Sequence, residues 1–212
     1  MSTQPIGIFD SGVGGTSIWK ELHSLLPFEN TIYLADSKHA PYGPKGRDRI
    51  IELCLKNTEY LLSQNCKLII VACNTATTNA IKVLREHYKV PFIGIEPAIK
   101  PAALNTKTNA IGILATKGTL SSELFHKTSS TFASNINVIE QIGEGIVELI
   151  ESGKLNSEEM KALLKIYLKP MLEAKIDYLV LGCTHYPYLI PTLNNILPVS
   201  YTHLRAHETK AN

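Results

Sequence analysis

The chain has no apolar run near the roughly 20 residues that a membrane-crossing helix requires, and no marked excess of either charge. Its 212 residues carry 21 Lys and Arg against 19 Asp and Glu, a formal net charge of +2. So weak a field gives no argument for nucleic acid or a membrane surface as a partner. The opening residues, Met1-Ser2-Thr3-Gln4-Pro5, lack the basic and apolar segments of a secretory leader. Cysteine is scarce as well. Cys54, Cys66, Cys73 and Cys183 show neither the density of a secreted disulfide scaffold nor the spacing of a zinc finger. Reduced thiols in a cytoplasmic protein are the expectation.

The composition that remains, 44% hydrophobic and 19% charged, is that of a soluble globular protein long enough to bury a proper core. Two apolar runs stand out because each ends in a small residue, a cysteine and a polar pair. Leu68-Ile69-Ile70-Val71-Ala72 leads into Cys73-Asn74-Thr75, and Tyr178-Leu179-Val180-Leu181-Gly182 leads into Cys183-Thr184-His185. Each run suits a buried parallel strand and is too short for a helix. Each thiol therefore sits where a strand gives way to a helix, the edge at which open α/β sheets bind ligands.

Around these runs strand and helix patterns alternate. Strands are expected at Pro5 to Phe9, Thr31 to Ala35, Leu68 to Ala72 and Phe92 to Ile95. Helices are expected at Thr16 to Leu26, Arg47 to Gln64 and Thr75 to Tyr88. Asp36 to Gly46 reads as a long polar loop. Glu96-Pro97 breaks the pattern, which restarts with a strand at Ala110 to Ala115 and a helix at Lys117 to Lys127. A short strand at Asn137 to Glu140 follows, then helices at Glu144 to Glu151 and Ser157 to Ala174. Asp177 to Leu181 is the next strand, and Pro187 suits the start of a last helix. Repeated βα units predict an α/β fold with parallel sheets and right-handed crossovers. The restart near Pro97 to Lys107 divides the chain into residues 1–97 and 98–198. Residues 199–212, with few apolar residues and no period, look like appended sequence and are set apart from the fold.

Asp10-Ser11-Gly12-Val13-Gly14-Gly15 follows the first strand. Its glycines can turn backbone N–H groups toward a small anion at a helix N-terminus, or simply form a tight turn capped by Asp10. The glycine spacing fits a dinucleotide fingerprint poorly. Cys54 and Cys66 read as inert core thiols. Cys73 and Cys183 read either as further core thiols or, since strand ends open onto clefts, as reactive ones, and the helix N-terminus after each would favour a thiolate. Asn74, Thr75 and Thr184 offer amide and hydroxyl groups to a carboxylate. His185 fits a base partner, a metal ligand or a hydrogen-bonded core residue. Ala40-Pro41-Tyr42-Gly43-Pro44 is either a stiff wall to the cleft or an ordinary surface loop.

Phe9 to Gly15, Pro41-Tyr42-Gly43, Ala72-Cys73-Asn74-Thr75-Ala76 and Leu181-Gly182-Cys183-Thr184-His185-Tyr186-Pro187 occur in one order across residues 5 to 198. Together they resemble the glutamate racemases, a family of cofactor-independent amino-acid racemases. The resemblance implies two similar α/β domains with the active site between them, a homodimer, glutamate as substrate, and neither cofactor nor metal. It implies further elements after the last helix, where this chain has the odd tail. It also implies a two-base mechanism in which Cys73 deprotonates D-glutamate and Cys183 L-glutamate. Asp10 assists Cys73, and His185 assists Cys183. Asp10, Ser11, Tyr42, Gly43, Asn74, Thr75, Thr184 and His185 bind substrate, with Thr116 a weaker candidate. The family role is supply of D-glutamate for peptidoglycan.

The chemistry suits those residue types. An α-proton beside a carboxylate is so weakly acidic that the site must stabilise a carbanion-like transition state. A thiol near neutral pKa serves as acid or base, as a reversible racemase needs on both faces. No strand-end lysine is present at either cysteine motif for a Schiff base. Three other readings stand beside this one: an aspartate racemase of the same family, a non-catalytic amino-acid-binding form, and a zinc site of Cys73, Cys183 and His185, which lacks a recognisable metal spacing.

Overall fold

Short runs of Ile, Leu and Val bounded by polar turns become strands buried on both faces, and the alternation within each run divides its side chains between two layers of helix. The computed structural model describes residues 3–197 and 202–205. β1 (Ile6–Asp10), β2 (Thr31–Ala35), β3 (Leu68–Val71) and β4 (Phe92–Gly94) form a parallel sheet in the order β2-β1-β3-β4. Ile8 pairs with Ile70 and Phe9 with Val71 across β1 and β3. Ile6, Ile8, Ile70 and Ala72 then face α1 (Thr16–Leu25) through Ile18 and Trp19. Phe9, Ile69 and Val71 face the other way, onto α2 (Arg47–Ser63) and α3 (Asn74–His87).

The second sheet repeats the plan. β5 (Ala110–Ala115), β6 (Asn137–Ile142), β7 (Tyr178–Gly182) and β8 (Thr202–Arg205) lie parallel in the order β6-β5-β7-β8. Ile111, Ile113 and Val180 pack toward α4 (Ile99–Asn105) and α6 (Glu123–Phe132). Leu114, Leu179 and Leu181 pack toward α7 (Ile146–Glu151), α8 (Glu158–Glu173) and α9 (Ile190–Ile196). All strands run parallel, but the order in which they are added to the sheet reverses between β1 and β3 in one sheet and between β5 and β7 in the other, so each has its crevice at that pair's carboxyl ends. Asp10 and Cys73 mark the first crevice; Thr116 and Cys183 mark the second. The α/β class and its parallel sheets are as expected.

Several details differ. The span between the halves forms α4 instead of a plain break. The expected helix at Lys117 to Lys127 is two pieces, α5 (Lys117–Leu120) and α6. Ser122 separates them, its hydroxyl accepting from the Phe125 N–H as the cap of α6; a capping serine competes with helix continuation. Ser37–His39 makes a short 3-10 turn inside the Asp36 to Gly46 loop. Pro187 opens a 3-10 turn, Tyr186–Leu189, with α9 beginning at Ile190. Thr202–Arg205, in the segment set apart above, pairs with β7, the Thr202 N–H donating to Asp177 O. The rest of that segment lies outside the described residues. Among the described residues no helix is long and apolar enough to cross a membrane.

Candidate active site

The first crevice is built by two strand ends. Asp10 closes β1 fully buried, its Oδ1 accepting from the Gly12 N–H at 2.9 Å. The N–H groups of the glycine-rich loop thus meet carboxylates of the protein itself, because the Val13 N–H donates to Glu151 at 2.9 Å. Cys73 is the N-cap of α3, its Sγ 3.4 Å from the Ala76 N–H and 3.8 Å from the Ser11 hydroxyl. Burial and the nearby Asp10 push the Cys73 thiol up to about 12, against the pull of those contacts. Asn74 donates to Ile95 O at 3.1 Å, and its Oδ1 is buried with no partner among the described residues.

The second crevice supplies the facing wall. Cys183 follows directly on β7, its Sγ 3.7 Å from His185 Nδ1. Burial holds this thiol well above its usual range, and charge on Cys73 or Asp10 pushes it the same way. His185 is buried, with Nε2 2.5 Å from Glu151 Oε1. That contact places the ring proton on Nε2 and leaves Nδ1 as an acceptor toward the thiol.

Hydrogen bonds from both walls meet directly. Thr184 Oγ1 donates to Asp10 Oδ2 at 2.9 Å. Burial raises the Asp10 carboxyl's pKa, with His185 and the Gly12, Thr184 and Gly15 donors opposing it. Thr75 Oγ1 lies 2.7 Å from Thr116 Oγ1 and 3.1 Å from Thr119 Oγ1, and the last two are 3.1 Å apart. Close approach demands glycine here. A side chain at Gly14 would come within 2.7 Å of Thr184 Oγ1 and strike the His185 ring.

The sequence profile of the Asp/Glu/Hydantoin racemase family matches residues 11–203. The chain belongs to that family. It is 48% identical over 200 residues to the glutamate racemase of Ectopseudomonas mendocina (strain ymp), covering 94% of this chain and 76% of that protein. The crystal structure of Escherichia coli glutamate racemase with L-glutamate and the activator UDP-MurNAc-Ala superposes with a TM-score of 0.87 at 36% identity, covering 96% of this chain and 78% of that one. The Francisella tularensis glutamate racemase with D-glutamate gives 0.82 at 32% identity, covering 96% and 76%.

In this racemase Asp10, Ser11, Cys73, Thr75, Thr116, Cys183, Thr184 and His185 gather as one buried group. Tyr42 is set apart: its phenol turns into the first core, donating to Asp36 at 2.6 Å and accepting from Asn57 at 3.1 Å. Its neighbour Gly43 faces the second wall, where Gly43 O accepts from the Gly118 N–H at 2.9 Å. Among the described residues no group of three His, Cys, Asp or Glu could hold a metal ion, so Cys73, Cys183 and His185 do not make the zinc site considered above. Glu151, which ends α7, carries no local sequence signal and looks like any solvated glutamate. Thr119 was also missed, though its spacing of three from Thr116 marks a helix cap.

Proposed function

We propose that the protein interconverts L- and D-glutamate by passing a proton between Cys73, Cys183 and the two faces of the α-carbon. The observation that carries this reading is the Thr184–Asp10 hydrogen bond, which brings the two thiol-bearing turns together around one carboxylate. With D-glutamate bound, Asp10 accepts the Cys73 thiol proton, and the resulting thiolate takes the α-proton as the C–H bond breaks and an S–H bond forms. The Cys183 thiol delivers its own proton to the opposite face, which leaves L-glutamate and a thiolate on Cys183. The reverse reaction runs the same steps backwards, so no outside acid or base is consumed.

Burial alone keeps both thiols neutral, and the substrate's α-ammonium supplies the positive charge that favours a thiolate. The unpartnered Asn74 Oδ1 and Asp10 are acceptors suited to that ammonium. Thr75, Thr184 and the backbone of Ser11 and Gly43 are donors suited to the carboxylates, where negative charge grows in the transition state. His185, held by Glu151, takes the Cys183 proton to form the thiolate that acts on L-glutamate, and supplies a proton to the Cys183 thiolate left after the D-to-L direction. In the same reading residues 1–97 and 98–198 form two domains with one thiol each, and the protein is a cytoplasmic homodimer whose product enters peptidoglycan.

Incubation with either enantiomer in deuterium oxide tests the reading. Racemisation should place one deuteron at the α-carbon. Cys73→Ser and Cys183→Ser should each lower the rate at least ~100-fold, the contribution of a positioned acid or base, while leaving the melting curve in place. Near-normal racemisation by either variant removes that thiol from the mechanism. An unlabelled α-carbon would make the protein a binder.

A further inference from the structure

The gathered side chains at the proposed site are all buried, so a dicarboxylate reaches them only when the two walls part. Around the Thr184–Asp10 and Thr75–Thr116–Thr119 bonds the walls also meet along two outer seams. One joins Val13 to Glu151, Thr16 to Tyr188 and Ser17 to Thr184. The other is a clamp on a single residue, Gly118. Its N–H donates to Gly43 O at 2.9 Å, and its carbonyl accepts from Asn79 Nδ2 at 2.8 Å. Both partners belong to the first half of the chain. A Cβ on Gly118 would lie 2.9 Å from Gly43 O and 2.9 Å from Thr75 Cγ2. The same Asn79 amide also donates to Thr75 O at 2.9 Å, which fixes it on α3. Outside this seam lies a cleft of about 1080 Å³, bordered by Asn79, Gly118, Lys82, Lys117 and Lys127.

We propose that Asn79 is a positioning residue: its amide latches the Gly118 carbonyl and so holds the Thr116 and Thr119 hydroxyls against Thr75 in the closed site. The proposal rests on the racemase reading above, since closure matters only if a substrate is enclosed. Asn79 touches no reacting atom. Its side chain bridges Thr75, at the start of α3, to the turn that carries Thr116 and Thr119. Loss of the latch favours the parted form, and substrate binding must then drive closure unaided. Once closed, the reacting groups are unchanged. A latch therefore acts on KM, whereas a catalytic group acts on kcat.

The test uses the whole protein with Asn79→Ala and the isosteric Asn79→Asp, which sets an acceptor against the Gly118 carbonyl. In Asn79→Ala, KM for L- and D-glutamate should rise together by about three- to tenfold, the worth of one buried hydrogen bond, with kcat within about twofold. Asn79→Asp should raise KM further. Hydrogen exchange at the Gly118 amide should quicken in both variants without substrate, while the β1 and β3 amides keep their protection. Unchanged KM and unchanged Gly118 exchange in both variants overturn the latch. So does a loss of kcat that tracks a fall in melting temperature, which marks a purely structural residue. If the wild type fails to racemise glutamate, the functional reading falls and the Gly118 exchange decides the latch alone.

Discussion

His185 is held from two sides, by Glu151 at Nε2 and against Cys183 at Nδ1. A base whose tautomer is fixed by a carboxylate loses function when that carboxylate is neutralised. Glu151→Gln should therefore slow racemisation by about 10- to 100-fold, the usual effect of a supporting partner. Enantiomers have equal free energy in water, so kcat/KM must fall equally in both directions. The asymmetry belongs in the isotope effect. With the Cys183 side impaired, α-deuterated L-glutamate should show a larger effect than the D-enantiomer; equal effects would unseat the pairing of His185 with Cys183. Asp10 gives a second residue-scale prediction. Burial raises its pKa, so the folded state holds this proton more tightly than the unfolded chain. The group then costs stability as pH rises from about 3.8 through its folded value, and the cost is fully present above that value. Asp10→Asn should raise the melting temperature at neutral pH, flatten this part of the stability–pH curve, and lower activity. A variant less stable than wild type at neutral pH would show that the carboxylate is a net structural asset.

The strands and the turn after each were legible because an apolar run of fixed length, buried on both faces, has few other structures open to it. The same logic places both thiols at crevices. What escaped was set by contacts between distant elements. Nothing local tells Glu151 from Glu148 one turn earlier; only the arrival of Val13 and His185 distinguishes them. Tyr42 lay in a motif of the resembled family, yet Asp36 and Asn57 draw its phenol into the core, and no pattern in the loop encodes that. The two serines before α6 fit a continuous helical period, and only a capping bond breaks it. Gly14 shows how tightly these elements meet. Gly14→Ala would force the start of α1 away from Thr184 and His185, an overpacking that costs about 1–3 kcal/mol. Urea melts should record that loss together with a fall in activity. A neutral result would mean that the walls have slack.

Each sheet has its own apolar cores, with Leu124 of α6 packing across onto the first, while the boundary between them at the site consists of hydroxyls, carboxylates, an imidazole and backbone amides. A polar boundary of this kind is held by hydrogen bonds worth about 1 kcal/mol each, so it opens more readily than either core melts. A ligand that touches both walls therefore couples the two units. A doubly substituted Cys73→Ser, Cys183→Ser protein, which binds without turnover in this reading, lets each enantiomer be examined unchanged. At one hundred times its dissociation constant, either enantiomer should add about 2.7 kcal/mol of stability. For a chain of this size that is about 5–10 °C in melting temperature, at roughly 2–4 °C per kcal/mol. Aspartate, shorter by one methylene, spans less of the boundary and should give a smaller shift at equal concentration. Equal shifts with aspartate would mean that chain length is not read across the walls, and an unmoved melting curve with both glutamates would mean that the walls do not share a ligand.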